Sequence, residues 1–338
     1  MTVSMVETRA AFIDQFGRSK RKLRISVTDR CNFKCVYCMP EHPEWMKKHQ
    51  ILSFEALFQF CQFMVQNGIE YIRITGGEPL MRQGVVHFVA ELQKLKKIGL
   101  KQISMTSNGH YLKKYAQDLK RAGLDSINVS LDSLDAIQFF QLTQKQLAPV
   151  LEGIQAALAV GLPLKINSVL IQGKNEDQII PLVQWAKDLA IPLRFIEFMP
   201  LDGDRHWNAE HVVSEQQILD TLATKFSIKP LTGNTRSPAR QYWVDGHQIG
   251  IISTITHAFC GECDRVRLTA QGEFYNCLFA TQGLALKTEI EQLQTETKQN
   301  ASVLQQKLES YIWNKKAGFH AIQAQQTHRK ISMHMIGG

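Results

Sequence analysis

The feature that most restricts the fold is a repeat. A short β-branched or apolar run, a loop of glycine and polar residues, and a helix-period stretch recur in series between residues 23 and 198. Residues 23–27 alternate and are β-branched, and further strands are predicted at 71–75, 102–106, 126–129, 164–170 and 193–198. Between them, helical patterns run over 54–67, 85–98, 112–122, 150–160 and 178–189; Ser53 is placed to cap the first and Gly68 to stop it. Six such units predict an α/β protein, a parallel sheet with helices outside. Six instead of eight predicts an open, incomplete (βα)6 barrel, and in parallel barrels chemistry sits at the C-terminal ends of the strands. Each unusual cluster falls there: a cysteine loop after the first strand, Gly76-Gly77-Glu78-Pro79 after the second, Thr106-Ser107-Asn108 after the third and Ser130-Leu131-Asp132 after the fourth.

The rhythm stops near residue 230. Residues 233–238 read as a loop, and two strands at 241–244 and 248–253 flank Asp245-Gly246, a hairpin signal. The expected organisation is a barrel over 15–229 and a smaller α+β domain over 230–338 that closes its open side.

Six of the seven cysteines form two triplets: Cys31, Cys35 and Cys38, then Cys260, Cys263 and Cys277. That is metal usage, not a disulfide framework; Cys61, within an apolar helical stretch, reads as a buried thiol. Structural zinc takes four protein ligands, whereas three thiolates on a four-iron cluster leave one iron open, as a catalytic site needs. For the second triplet a zinc site completed by His257 stands beside the cluster reading. The net charge of +8 points to an anionic partner, although Lys94, Lys96, Lys97, Lys113 and Lys114 read as solvated helix faces and Arg82 and Arg121 as surface charges. Gly17 to Lys22 reads as a basic, polar lead-in. No apolar run is long enough to span a bilayer, and the start lacks a secretory pattern, so the expected compartment is a reducing cytoplasm. No GxxxxGK[ST] loop occurs, so any triphosphate must be held by scattered Arg and Lys.

The loop Cys31-xxx-Cys35-xx-Cys38 together with Gly76-Gly77-Glu78-Pro79 resembles the radical S-adenosylmethionine superfamily. With Cys260-xx-Cys263-x13-Cys277 and the Gly337-Gly338 end added, residues 16–338 resemble its GTP 3′,8-cyclase family of molybdenum cofactor biosynthesis. The resemblance implies two 4Fe-4S clusters, each on one cysteine triplet. It implies S-adenosylmethionine contacts at Tyr37, Gly77, Ser130 and Met199. GTP contacts are implied at Arg24, Arg73, Thr106, Lys165, Arg265, Val266 and Arg267, with Arg265, Arg267 and a tail of Gly337 and Gly338 serving catalysis. Asn167 and Arg194 are further candidates pointing into the barrel. Tyr71 stands where relatives often carry a basic residue and Ser107 where they often carry threonine. The implied reaction starts with a 5′-deoxyadenosyl radical that takes hydrogen from the ribose 3′ carbon; that carbon then attacks guanine carbon 8. Implied partners are a flavodoxin-like reductant protein and the next pathway enzyme, cyclic pyranopterin monophosphate synthase, with no nucleic acid or membrane and a monomeric or homodimeric state. The alternative is another two-cluster radical enzyme acting on RNA or peptide.

Overall fold

The computed structural model describes residues 12–201, 207–231, 237–295, 298–323 and 332–337. Six parallel strands form the body of one sheet: β1 (Lys22–Ser26), β2 (Tyr71–Thr75), β3 (Gln102–Ser107), β4 (Ser126–Ser130), β5 (Leu164–Leu170) and β6 (Leu193–Glu197). The helices that return the chain are α1 (Phe54–Gln66), α2 (Val85–Leu92), α3 (Leu112–Arg121), the pair α4 (Ala136–Thr143) and α5 (Ala148–Ala159), α6 (Ile179–Asp188) and α7 (Glu215–Ala223). Ser53 caps α1 as expected, accepting from the Ala56 amide at 3.1 Å. The sequence reading missed α4, and α2 ends earlier than expected, continuing as a tighter turn over Gln93–Ile98.

The remaining elements are β7 (Ile228–Leu231), β8 (Arg240–Val244), β9 (His247–Ile252), β10 (Arg265–Leu268), β11 (Glu273–Tyr275), β12 (Leu284–Ala285), α8 (Lys287–Gln292), α9 (Lys298–Trp313), α10 (Phe319–Gln323) and α11 (Met333–Ile336). Their strands extend the barrel's own sheet. β10 runs parallel to β1 and β9 parallel to β6, giving the order β12-β11-β10-β1-β2-β3-β4-β5-β6-β9-β8-β7. The Asp245-Gly246 hairpin forms as predicted, with φ of 47° and 80°, the twist a two-residue turn requires.

Side-chain alternation divides the strands. Leu23, Ile25, Ile72, Ile74, Ile103, Met105, Ile127 and Ile166 are fully or nearly fully buried under the helices. Each contributes about 1.5–3 kcal/mol of burial. Their neighbours one position along face inward, and those are mostly polar. The outer layer therefore holds the fold and leaves the inner face available for chemistry.

Candidate active site

Register brings the inward residues together. Arg24 of β1 lies opposite Arg267 of β10 and Arg73 of β2. Arg73 pairs across to Ser104, whose hydroxyl accepts from its Nε at 3.2 Å. Further round, Thr106 faces Asn128, Asn128 faces Lys165, and Asn167 faces Arg194. All of these line a single cavity of about 630 Å³, within the range of small-molecule sites. The cavity wall also contains both cysteine triplets, together with Tyr37, Gly77, Ser130 and Met199. Val266 is fully buried and is not among the residues that line the cavity.

The cavity is strongly cationic. Burial pushes Arg24 well below its ordinary value, and Arg267, Arg73 and Arg265 add repulsion. Arg73 is pushed down to about 10 by burial, then by Arg194 and Arg265. Lys165 is lowered by burial and by Arg194 and Arg73. Cations that penalise one another in this way call for an anion between them. Thr106 Oγ1, Asn128 Nδ2 and Asn167 Oδ1 are buried without a hydrogen-bond partner among the described residues, so the same wall also holds unmet polar groups.

The first triplet sits at the C-terminal end of β1. Its loop is tied to the end of α4 by Lys34 N donating to Thr143 O (3.0 Å) and Val36 N to Leu142 O (3.1 Å). Burial, with Glu78 second, pushes the Cys31 thiol up to about 12. The Phe33 amide and Asn108 Nδ2 donate to Cys31 Sγ at 3.4 and 3.7 Å. Tyr37 projects back and donates to Asp132 Oδ2 at 2.7 Å, while Asp132 Oδ1 accepts from the Val169 amide at 2.8 Å. Gly77 fits here for want of space: a Cβ would lie 2.3 Å from the Arg30 carbonyl oxygen. Glu78 accepts from the Leu80 and Asn108 amides and from Ser107 Oγ, which fixes the turn.

The second triplet lies at the opposite end, because Cys263 precedes β10 and β10 runs parallel to β1. Burial opposes ionisation of Cys263, but Arg265 and Lys315 bring it down to about 5, so it is a thiolate at neutral pH. Three cysteines with such a thiolate suit a soft metal centre. His257 is half-exposed and turned to Glu215 (Nδ1 to Oε2, 3.4 Å), so it does not complete a zinc set. Among the described residues no three His, Cys, Asp or Glu converge on one ion; an iron–sulfur cube is larger than a single ion.

The tail enters from the same sheet face. Arg267 Nη1 donates to the Gly337 carbonyl at 2.5 Å, and a Cβ on Gly337 would lie 2.0 Å from Thr75 Oγ1. Gly338 lies outside the described residues, as do residues 233–236 of the expected loop.

Two readings of basic residues are corrected. Arg82 is no surface charge: its guanidinium donates to the Val27 and Leu52 carbonyls (2.6 and 2.7 Å) over the Phe54 ring. The lead-in is not simply solvated. Lys20 and Asp14 are fully buried, and Arg18 is nearly so. Arg18 donates to the Cys260 carbonyl (2.7 Å) and Lys20 to that of Cys263 (2.9 Å), so this segment braces the second cysteine loop. Sequence reasoning also missed Ser104, Asn128 and Lys315. The first two carried a signal, polar residues at every second position of otherwise apolar strands.

The Radical SAM superfamily profile matches residues 25–186, and that of Molybdenum Cofactor Synthesis C matches residues 191–321. A GTP 3′,8-cyclase of Staphylococcus haemolyticus is 37% identical over 96% of this chain and 98% of its own length. One from Rhodopirellula baltica is 39% identical over 97% and 92%, and one from Streptomyces coelicolor 43% over 81% and 82%. Among solved structures, Streptococcus suis SuiB bound to S-adenosylmethionine has a TM-score of 0.61 at 14% identity, covering 84% of this chain and 67% of that one. The anSMEcpe protein with bound AdoMet gives 0.54 at 14%, covering 90% and 94%. At such identities the likeness is one of fold.

Proposed function

The chain belongs to the GTP 3′,8-cyclase family of radical S-adenosylmethionine enzymes, and we infer that it converts GTP to (8S)-3′,8-cyclo-7,8-dihydroguanosine 5′-triphosphate, the first step of molybdenum cofactor biosynthesis. The observation that carries this is one cavity with a cysteine triplet at each end and a ring of mutually repelling cations between them. Cys31, Cys35 and Cys38 hold one 4Fe-4S cluster and Cys260, Cys263 and Cys277 the other. When bound there, the first would supply the electron for cleavage of S-adenosylmethionine and the second Lewis acidity toward the base.

The chain's own residues divide the remaining work. Tyr37, oriented by Asp132, covers the adenine of S-adenosylmethionine; Gly77 lets the backbone approach the methionine, and Ser130 and Met199 complete that end. Arg24, Arg73, Lys165, Arg265 and Arg267 clamp the triphosphate, with guanidinium groups suited to bidentate contact. Thr106 and the Val266 backbone supply neutral contacts, and Arg194, facing Lys165 and Arg73, joins the clamp. Gly337 brings the tail against Arg267.

We assign residues 15–229 to the partial barrel that carries the first cluster and 230–338 to a C-terminal domain that carries the second cluster and the diglycine tail, with the nucleotide clamp drawn from both. A flavodoxin-like reductant and cyclic pyranopterin monophosphate synthase are its proposed partners, in a cytoplasmic monomer or homodimer. Among the described residues no helix is long and apolar enough to cross a membrane. The test is anaerobic reconstitution with iron counting, then incubation with reductant, S-adenosylmethionine and GTP. About eight irons per chain and 5′-deoxyadenosine formed only with GTP are expected; zinc in place of iron, or deoxyadenosine indifferent to GTP, overturns the reading.

A further inference from the structure

Lys315 follows α9 and is only 2% exposed. Its ammonium donates to Cys263 Sγ at 3.5 Å, to the Arg265 carbonyl at 3.3 Å and to the Asn276 carbonyl. No carboxylate is among these contacts. The nearby buried carboxylate, Asp14, is engaged by Arg18 Nε and Lys20 Nζ, both at 2.7 Å. A buried ammonium facing only carbonyls and one sulfur is costly unless that sulfur bears the compensating charge. The two carbonyls leave little freedom in aim, and both belong to segments flanking the cysteine site: Arg265 opens β10, and Asn276 precedes Cys277. The first triplet has the opposite surroundings, with Asp132 and Glu78 acting on its cysteines.

We propose that Lys315 is a positioning residue for the second cysteine site: it holds Cys263 Sγ by a charge-assisted hydrogen bond and thereby raises the reduction potential of the cluster carried there. Hydrogen bonds and positive charge at a ligating sulfur favour the more negative, reduced state, and they are among the protein's main controls on such potentials. Lys315 borders the cavity, but its ammonium is engaged by the sulfur and two carbonyls, so its effect on turnover is indirect. The proposal rests on Cys260, Cys263 and Cys277 being cluster ligands.

The test uses the full chain with Cys31, Cys35 and Cys38 changed to Ala, leaving the second site alone. Iron is counted, and the midpoint is read by spectroscopic redox titration with Lys315, Lys315→Met, Lys315→Arg and, as a control at an exposed neighbour, Lys316→Met. About four irons are expected in the parent. Lys315→Met should move the reduction equilibrium at least tenfold toward the oxidised form, about 59 mV downward for one electron. Lys315→Arg and Lys316→Met should stay close to the parent. A parent without iron refutes the cluster reading of this triplet. Iron bound with an unmoved midpoint in Lys315→Met overturns the role of Lys315 alone. Should Lys315→Met fail to retain iron, Lys315→Gln replaces it: a midpoint below that of Lys315→Arg supports the proposal, and equal midpoints overturn it.

Discussion

Gly337→Ala isolates the contribution of the tail. Gly337 has φ +75°, a left-handed conformation that costs a residue with a Cβ about 1–2 kcal/mol. The added methyl would lie 2.0 Å from Thr75 Oγ1 and 3.1 Å from Thr75 Cβ. Thr75 cannot simply turn away, because its hydroxyl donates to the Ile25 carbonyl at 3.3 Å inside the sheet. The tail must therefore retreat, and the Arg267 hydrogen bond to the Gly337 carbonyl goes with it. A bond to a charged donor contributes about 1.5–3 kcal/mol. Together these weaken tail docking by about 3–4 kcal/mol, which is roughly two to three decades in the docked population. Turnover of GTP should fall by about 100-fold or more, iron content should stay unchanged, and hydrogen exchange over Met333–Ile336 should accelerate by a comparable factor. Thr75→Ala in the same chain relieves the contact with Oγ1 and should restore part of the loss, a coupling that a double-mutant cycle measures. Turnover within about threefold of the parent, with tail protection intact, would refute the argument.

Arg73→Gln removes one cation of the clamp and should raise the KM for GTP by about 10- to 100-fold with iron content unchanged, since hydrogen bonds to charged groups contribute about 1.5–3 kcal/mol; a KM within twofold of the parent counts against the clamp. Arg82→Ala should instead lower the melting temperature, with about 3 kcal/mol lost through its two carbonyl bonds, while the KM for GTP holds steady; an altered KM without destabilisation would reverse that assignment. Burial pushes Glu78 from an ordinary 4.5 up to about 7. A carboxyl raised on folding stabilises most at low pH, and that contribution is lost as pH rises from about 4.5 to 7. Chemical denaturation of iron-free parent and Glu78→Gln should therefore diverge in pH slope across this window; parallel curves would show that Glu78 is ionised without penalty.

What was legible in the sequence was local. Strand positions, the Asp245-Gly246 turn and both cysteine triplets depend on residues close together in the chain, and their periodicity and spacing are explicit. The inward faces were half-legible: the family resemblance singles out Arg24, Arg73 and Lys165, whereas nothing in the sequence beyond alternation singles out Ser104 and Asn128, because small polar residues are common in strands. Lys20, Arg18 and Lys315 were not legible. Each owes its burial to partners far along the chain, as when Arg18 reaches Cys260 and Ala317, and a basic residue near a terminus looks the same whether solvated or enclosed. Arg82 misled for the same reason, since its carbonyl partners come from two other loops.

The cations and the second cysteine site depend on one register. Pairing of β10 with β1 sets Arg265 opposite Lys22 and Arg267 opposite Arg24, with both arginines in the cavity wall and Val266 outside it. A slip of one residue would turn both arginines outward and bring Val266 in. Parallel pairing has no hairpin to fix the register, so other contacts must do so. Arg21 N and Lys22 N both donate to the Asp264 carbonyl at 3.0 Å, and Lys22 Nζ pairs with the Asp264 carboxylate at 3.0 Å. One step earlier, Lys20 holds the Cys263 carbonyl. The segment Arg18 to Lys22 therefore locks the alignment from which the cationic wall and the position of Cys263 both follow. A lead-in that looks dispensable in the sequence sets the distance between the cysteine site and the arginines beside it.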